Sequence, residues 1–312
     1  MSAPPPKAAA VTVGTRASPL ARAQTARVVE LLEAAWQGLR AHERLIATTG
    51  DRTQASGEPL PDIGGKGLFT VELEQALRSG EIDLAVHSLK DLPTEAPDGL
   101  VLGAVCERED VRDCLVTSGG LTLHELPAGA LVGTSSLRRA AQLRGLRHDL
   151  EIGSIRGNVD TRIRKVLEGE VAGVVLAAAG IRRLALEDDV SEWFAPETFL
   201  PAPGQGALAV QCRDGDEALL ELLAPIDHAG ARAATTAERS FLGELEAGCT
   251  APVGAYAEPG AGGVHLRGLV ASVDGRDVVR VEGEGEPEEV GARLAREALS
   301  AGADEILVAI RG

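Results

Sequence analysis

The residues of this sequence best suited to chemistry are arginines placed where helices begin. In Gly133-Thr134-Ser135-Ser136-Leu137-Arg138-Arg139, Thr134 and Ser136 fit a helix start, where small hydroxyl residues cap free amides and offer donors to an anion. Arg138 and Arg139 then fall in the first turn, where their charge opposes the helix dipole unless an anion compensates it. The segment therefore points to anion binding. Arg156-Gly157-Asn158 followed by Arg162 repeats the arrangement, with Asn158 as the expected cap, and Gly180-Ile181-Arg182-Arg183 gives a third such edge. Solvated surface arginines are the plainer alternative for Arg156 and Arg162.

Other segments carry weaker signals. Arg16 lies in a turn, Gly14 to Ser18, that opens a helix. The loop Gly64-Gly65-Lys66-Gly67 also precedes a helix, but Gly67 stands where a Walker A loop needs Ser or Thr. His87-Ser88-Leu89-Lys90-Asp91 sets an acid beside a base after an apolar run, and such a carboxylate can hold an ammonium or steady a developing cation. His87 itself reads as structural. Gly204-Gln205-Gly206-Ala207-Leu208-Ala209 imitates a dinucleotide fingerprint yet precedes a strand instead of following one, so it is rejected. Cys249 in Gly248-Cys249-Thr250 reads, taken alone, as a small buried hydrophobe, and no histidine partner is evident for a thiol hydrolase.

The elements that must position these residues alternate. Strands are predicted over Ala8 to Val13, Arg44 to Thr48, Ile82 to Val86, Leu131 to Gly133, Glu151 to Ile155, Gly173 to Ala177 and Ala207 to Gln211. Helices are predicted from Pro19 to about Trp36 with Ser18 as cap, and over Phe69 to Arg78, Ser136 to Leu143 and Val159 to Leu167. This alternation predicts parallel or mixed sheets with helices on both faces, and ligands in such sheets sit at the carboxyl ends of strands. Beyond Asp227 a helix from about Ala231 to Glu246, strands near Val253 to Ala257, Val264 to Val273 and Val278 to Glu282, and a last helix over Val290 to Ala301 predict a small α+β domain with an antiparallel sheet. The five glutamates between Glu282 and Glu289 read as a solvated edge.

With 312 residues the chain is too long for one ordinary core. Its 31 Lys and Arg against 47 Asp and Glu give a net charge of −16, and it has only seven aromatic residues; both disfavour nucleic acid and an acidic membrane surface. The acidity is uneven. From Gly133 to Lys165 there are eight basic residues against three acids, a local excess of five, so the remainder carries −21. The four cysteines form no CxxC or metal spacing, no metal is expected, and the default is a cytoplasmic chain with free thiols. The N-terminus lacks the apolar stretch of a secretory signal, and the longest apolar or Gly run, Val171 to Ile181, is shorter than the roughly 20 residues of a membrane span.

Read together, GTRASPLA (14 to 21), GGKGLF (64 to 69), AVHSLKDLP (85 to 93), CEREDVRD (106 to 113), VGTSSLRR (132 to 139), RGNVDTR (156 to 162), LPAPGQGALAV (200 to 210) and AGCTAPVGAY (247 to 256) resemble the porphobilinogen deaminase family, in family order over nearly the whole chain. The resemblance implies an α/β fold: two domains like type II periplasmic binding proteins, with mixed sheets, and a small C-terminal α+β domain. The implied boundaries are 1 to 108 with 204 to 226, 109 to 203, and 227 to 312.

It also implies a transferase that joins four porphobilinogens head to tail into hydroxymethylbilane, releasing ammonia at each step. Cys249 would carry a covalent dipyrromethane cofactor, which replaces the plainer reading of that cysteine. Asp91 matches the catalytic aspartate: loss of ammonia leaves a cationic azafulvene, which a carboxylate near the ring nitrogen stabilises while shuttling protons. Each pyrrole bears an acetate and a propionate, so six rings present about twelve carboxylates for charge-assisted bonds. Matching cofactor positions are Ser88, Lys90, Thr134, Ser136, Arg138, Arg139, Arg162, Gly180 and Gln205, and matching substrate positions are Arg16, Ser18, Gln24, Phe69, Arg156, Asn158 and Arg183; Lys66 is a further match. Two departures stand out: Asp62 where relatives often have Lys, and Ala247-Gly248-Cys249 where they have Gly-Gly-Cys.

The implied partner is porphobilinogen, with no nucleic acid and no membrane, for a cytoplasmic monomer. One rival is a solute-binding module for an anionic metabolite, which gives no reason for the cysteine loop. The other is a cysteine-dependent hydrolase, which lacks a recognisable base.

Overall fold

A computed structural model describes residues 10–49, 70–248 and 251–311. Along the chain run β1 (Ala10–Thr15), α1 (Pro19–Ala35), β2 (Arg40–Leu45), α2 (Val71–Arg78), β3 (Leu84–Ser88), β4 (Leu100–Val105), β5 (Asp113–Thr117), β6 (Leu131–Gly133), α3 (Leu137–Leu146), β7 (Glu151–Gly153), α4 (Val159–Leu167), β8 (Gly173–Ala177), α5 (Ala178–Arg183), β9 (Glu192–Trp193), β10 (Leu208–Arg213), α6 (Glu217–Leu223), α7 (Ala229–Glu244), β11 (Val253–Gly260), β12 (Gly263–Ala271), β13 (Val278–Gly285), α8 (Pro287–Ala298) and α9 (Asp304–Arg311). The chain divides into two compact units, Met1–Arg108 with Ala207–Arg232, and Glu109–Gly206 with Ala233–Gly312.

The first unit holds a five-stranded sheet in the order β2-β1-β3-β10-β4. β1 runs parallel to β2 and β3, whereas β10 is antiparallel to both β3 and β4. Val11, Val13, Leu84, Val86 and Val210 on its strands pack against Val28 and Leu32 of α1. α1 starts where the sequence indicates, with Pro19 as first helical residue and the Ser18 hydroxyl accepting from the Ala21 amide at 3.3 Å.

The second unit contains a sheet in the order β7-β6-β8-β5-β9 and a separate antiparallel sheet β11-β12-β13. In the first of these, β6 is parallel to β7 and β8, and β5 is antiparallel to β8. In the C-terminal part, Leu266, Val270, Val290, Leu294 and Phe241 form a core between the antiparallel sheet and its helices. β13 alternates exposed and half-buried positions and carries Glu282 and Glu284, a charged edge strand as its glutamates predicted.

The mixed α/β architecture with a smaller C-terminal α+β part is the one expected, with local corrections. β2 lies four residues earlier than predicted, because pairing with β1 in the register Ala10↔Arg40 sets its place and its mostly exposed side chains give little apolar signal. β1 ends at Thr15 instead of Val13. The last helix begins at Pro287, and α9 follows the positive φ of Gly302. Strands β4, β5 and β9 and helix α6 were not anticipated.

Candidate functional site

In the first unit, parallel β1 and β3 are neighbours, so the residues after their carboxyl ends share one edge of the sheet. Half-buried Arg16 follows β1, and Ser18 caps α1. Buried Gln24 donates from Nε2 to the Ser88 hydroxyl at 2.8 Å, tying α1 to the end of β3. β3 runs directly into a single 3-10 turn, Leu89–Asp91, closed by the Leu92 amide on the Leu89 carbonyl at 3.1 Å. Leu89 is buried, Lys90 half-buried and Asp91 exposed. The turn thus pins an apolar residue inside while setting the acid outside. Among the described residues the Asp91 carboxylate has no hydrogen-bond or ion-pair partner.

His87, one residue before Ser88, is buried. Its pKa is lowered to about 4, first by burial and then by the Arg16 charge, against a hydrogen bond with Gln211. It is a neutral core imidazole, consistent with its structural reading.

In the second unit the carboxyl ends of three parallel strands gather the basic segments. Thr134, Ser136, Arg138 and Arg139 follow β6; Arg156, Asn158 and Arg162 follow β7; Gly180 and Arg183 lie in α5, which continues β8. α3 is capped as foreseen, the Ser136 hydroxyl accepting from the Arg139 amide at 3.4 Å. Asn158 occupies the N-cap position of α4, but its side chain makes no capping bond. Half-buried Arg183 donates from Nη2 to the Gly206 carbonyl at 2.7 Å.

The anion that the first turn of α3 demands is within the protein. β5 is antiparallel to β8 in the register Asp113↔Ala177, which puts its first residue at the edge where the parallel strands end. Asp113 Oδ2 accepts from Arg138 Nη1 at 2.8 Å; Oδ1 accepts from Arg139 Nε at 3.1 Å and Nη2 at 2.7 Å, and from Gln205 Nε2 at 3.0 Å. Arg138 Nη1 also donates to the Leu200 carbonyl at 2.6 Å, and Arg139 Nη1 to the Val175 carbonyl at 3.0 Å. Gln205 lies between Gly204 and Gly206, both at positive φ, and its Nε2 further donates to the Val111 carbonyl at 2.8 Å. Asp113 and Gln205 are wholly inaccessible, and Arg138 is 3% exposed.

Burial alone would raise the Asp113 carboxyl; the two guanidinium charges and their hydrogen bonds outweigh it and hold the group well below the usual carboxylate range. Burial lowers the Arg138 pKa, against the attraction of Asp113. Arg162, whose Nε donates to the Gly157 carbonyl at 2.8 Å, is pushed down to about 10 by burial and by the charge of Arg139. Two guanidiniums share one carboxylate, and Arg162 lies within electrostatic reach of Arg139, so the three arginines outnumber the acid by two positive charges. Moreover, Arg138 Nε is buried with no hydrogen-bond partner among the described residues. Such a cluster suits a ligand with several carboxylates.

Phe69, Lys66, Asp62 and Cys249 lie outside the described residues. Asp113 is the residue that sequence reasoning missed. It heads the strand Asp-Cys-Leu-Val-Thr, and an acid at the start of a strand buried at every position was the available signal.

In the second unit, an α/β fold with guanidiniums at the ends of its parallel strands defines the class of proteins whose strand-end edge is suited to anionic ligands. The chain matches the family model described as porphobilinogen deaminase, dipyromethane cofactor binding domain, over residues 11–221, and that described as porphobilinogen deaminase, C-terminal domain, over residues 233–300. It is 48% identical over 299 residues to the porphobilinogen deaminase of Roseiflexus castenholzii, covering 95% of this chain and 98% of that one. It is 50% identical over 304 residues to that of Desulforudis audaxviator, covering 96% and 98%. A solved methionine-binding protein, MetQ, is a distant structural neighbour with a TM-score of 0.45 at 11% identity, covering 72% of this chain and 92% of that one. The chain belongs to the porphobilinogen deaminase family.

A dipyrromethane fits the residues present. Its acetates and propionates match the excess of positive charge around Arg138, Arg139 and Arg162, and the buried, unpartnered Arg138 Nε is a donor suited to a carboxylate.

Proposed function

We propose that this chain polymerises four porphobilinogens head to tail into hydroxymethylbilane, releasing one ammonia per addition, on a dipyrromethane bound through Cys249. The observation that supports it most directly is the buried guanidinium cluster of α3 and α4, with its surplus charge and its unpartnered Arg138 Nε, in a member of this family. When bound, the cofactor supplies a pyrrole α-carbon as the acceptor for the first added ring. Arg138, Arg139 and Arg162, with Thr134 and Ser136 at the start of α3, hold carboxylates on the cofactor side; Ser88, Lys90 and Gly180 complete that set, and wholly buried Gln205 supports it through Asp113.

Arg16, Ser18, Gln24, Arg156, Asn158 and Arg183 bind the incoming substrate, with Phe69 against a ring. Asp91 stands at the substrate's pyrrole nitrogen. As the aminomethyl C–N bond breaks, positive charge spreads to that nitrogen, and the carboxylate stabilises it at close range. When the new carbon–carbon bond has formed, the displaced α-hydrogen leaves as a proton, which the same carboxylate can accept and pass on. The turn at the end of β3 fixes the backbone from which the carboxylate projects.

The proposed division places Asp91 in residues 1–108 with 204–226, the arginine cluster in 109–203 and Cys249 in 227–312. A cytoplasmic monomer using neither nucleic acid nor membrane is the matching setting. Among the described residues no helix is long and apolar enough to cross a membrane, and no group of side chains could hold a metal ion.

Intact mass of the purified protein tests this reading. A covalent increment equal to a dipyrromethane, absent from Cys249→Ser, is expected. A bare polypeptide from cells that make porphobilinogen would overturn it.

A further inference from the structure

Arg138 and Arg139 do not enter the site as independent cations. Both are bound to one carboxylate that no ligand can reach, since Asp113 is wholly buried. Its attachment leaves little play: Asp113 heads β5, its backbone is registered against Ala177, and its Oδ1 is further held by Gln205. Each oxygen has its own task. Oδ2 takes a single Arg138 Nη1 and leaves that residue's Nε without a partner among the described residues, while Oδ1 takes Nε and Nη2 of Arg139. Two adjacent guanidiniums would otherwise repel one another and spread over rotamers.

We propose that Asp113, braced by Gln205, is a positioning residue that aims Arg138 and Arg139 at the carboxylates of the incoming cofactor before Cys249 is alkylated. The inference rests on the function proposed above. Preorganisation of this kind acts on binding: the donors are already oriented, so the ligand does not have to order them. A counter-ion that served only the fold would set how many molecules are native, without changing how those molecules meet the ligand.

The test uses full-length apoprotein from cells unable to make porphobilinogen, mixed with porphobilinogen over a range of concentrations. Covalent mass gain is followed by intact mass spectrometry, and the folded fraction by urea unfolding. Asp113→Glu keeps the charge but moves the carboxylate by one methylene; Asp113→Asn keeps the shape without the charge. For the folded fraction of either variant, the porphobilinogen concentration giving half-maximal loading rate is expected to rise at least tenfold. A parent-like concentration dependence in a folded variant, with only the loaded amplitude reduced, overturns the proposal.

Gln205→Met covers the case in which neither substitution folds, because it retains both ion pairs and removes the Nε2 bonds to Asp113 and to the Val111 and Arg112 carbonyls, none of which a ligand touches since Gln205 is wholly buried. A rise of threefold or more is expected there, and an unchanged value overturns the proposal. If the parent apoprotein itself gains no mass at Cys249, it is the function proposed above that fails, an outcome distinct from a parent that loads beside variants that load equally well.

Discussion

Two aspartates sit at strand-end edges of mixed sheets, and their surroundings give them opposite work. Asp91 is exposed at the tip of a three-residue turn, as the catalytic role proposed for it requires; Asp113 is sealed in and spends its charge on Arg138 and Arg139. Asp91→Asn is therefore expected to retain the covalent cofactor by intact mass while ammonia release falls by about 10²–10⁴-fold, the range for a positioned acid–base group. Turnover within a few-fold of the parent would remove Asp91 from that role. Arg138→Lys should load cofactor at least tenfold more slowly, because an ammonium cannot serve Asp113 and Leu200 while keeping a second planar edge for a ligand; parent-like loading would contradict this. Asp91 drew attention in the sequence because Lys90 stands beside it at the end of an apolar run, and the family resemblance is what implies a catalytic role for it. Asp113 was not, because its partners lie 25 and 26 residues away and only the strand pairing brings them together.

Helix starts and strand ends carry the site, and at that scale the sequence was most informative where local chemistry decides the element. Ser18 and Ser136 cap as read, since a hydroxyl before an apolar period has one obvious use. β2 and β5 were harder, because an edge strand of charged residues and a short fully buried strand both lack alternation, and their places come from partners distant in sequence. The junction of β3 with its turn makes a pH prediction. His87 falls from 6.5 to about 4 on folding, so between those values the unfolded chain binds a proton that the folded chain does not. Stability should consequently drop by about 3 kcal/mol as the pH falls from above 6.5 to 4. Asp113 acts the same way at lower pH: its contribution is complete above its usual 3.8 and fades as the pH falls below it. Urea unfolding at stepped pH checks both, and His87→Asn should flatten the upper limb; an equally steep limb in that variant would assign it to another group.

Of the net charge of −16, a basic stretch of sequence contributes +5 and the remainder −21, while the proposed substrate carries two carboxylates against one ammonium. The long-range field repels such a substrate and the local arginines attract it. Because the screening length is about 10 Å at 0.1 M salt, added salt should first remove the distant repulsion and only later weaken the buried contacts. Accordingly kcat/KM for porphobilinogen is expected to rise from very low salt to about 0.1 M and then to decline. A monotonic fall from the lowest salt would show that the site's own field governs encounter. The strand order of the first unit has a consequence in time. β10 lies between β3 and β4, hydrogen-bonded to both, yet it is made about a hundred residues after them. A nascent chain that has emerged as far as Gly206 therefore holds all the other strands of that sheet with a gap between β3 and β4, whose facing edges are unpaired. Protease resistance of the Asp91 turn on stalled ribosomes should appear only once Leu208 to Arg213 has left the tunnel, so the edge that bears Asp91 is among the first parts translated and the last of its sheet to close.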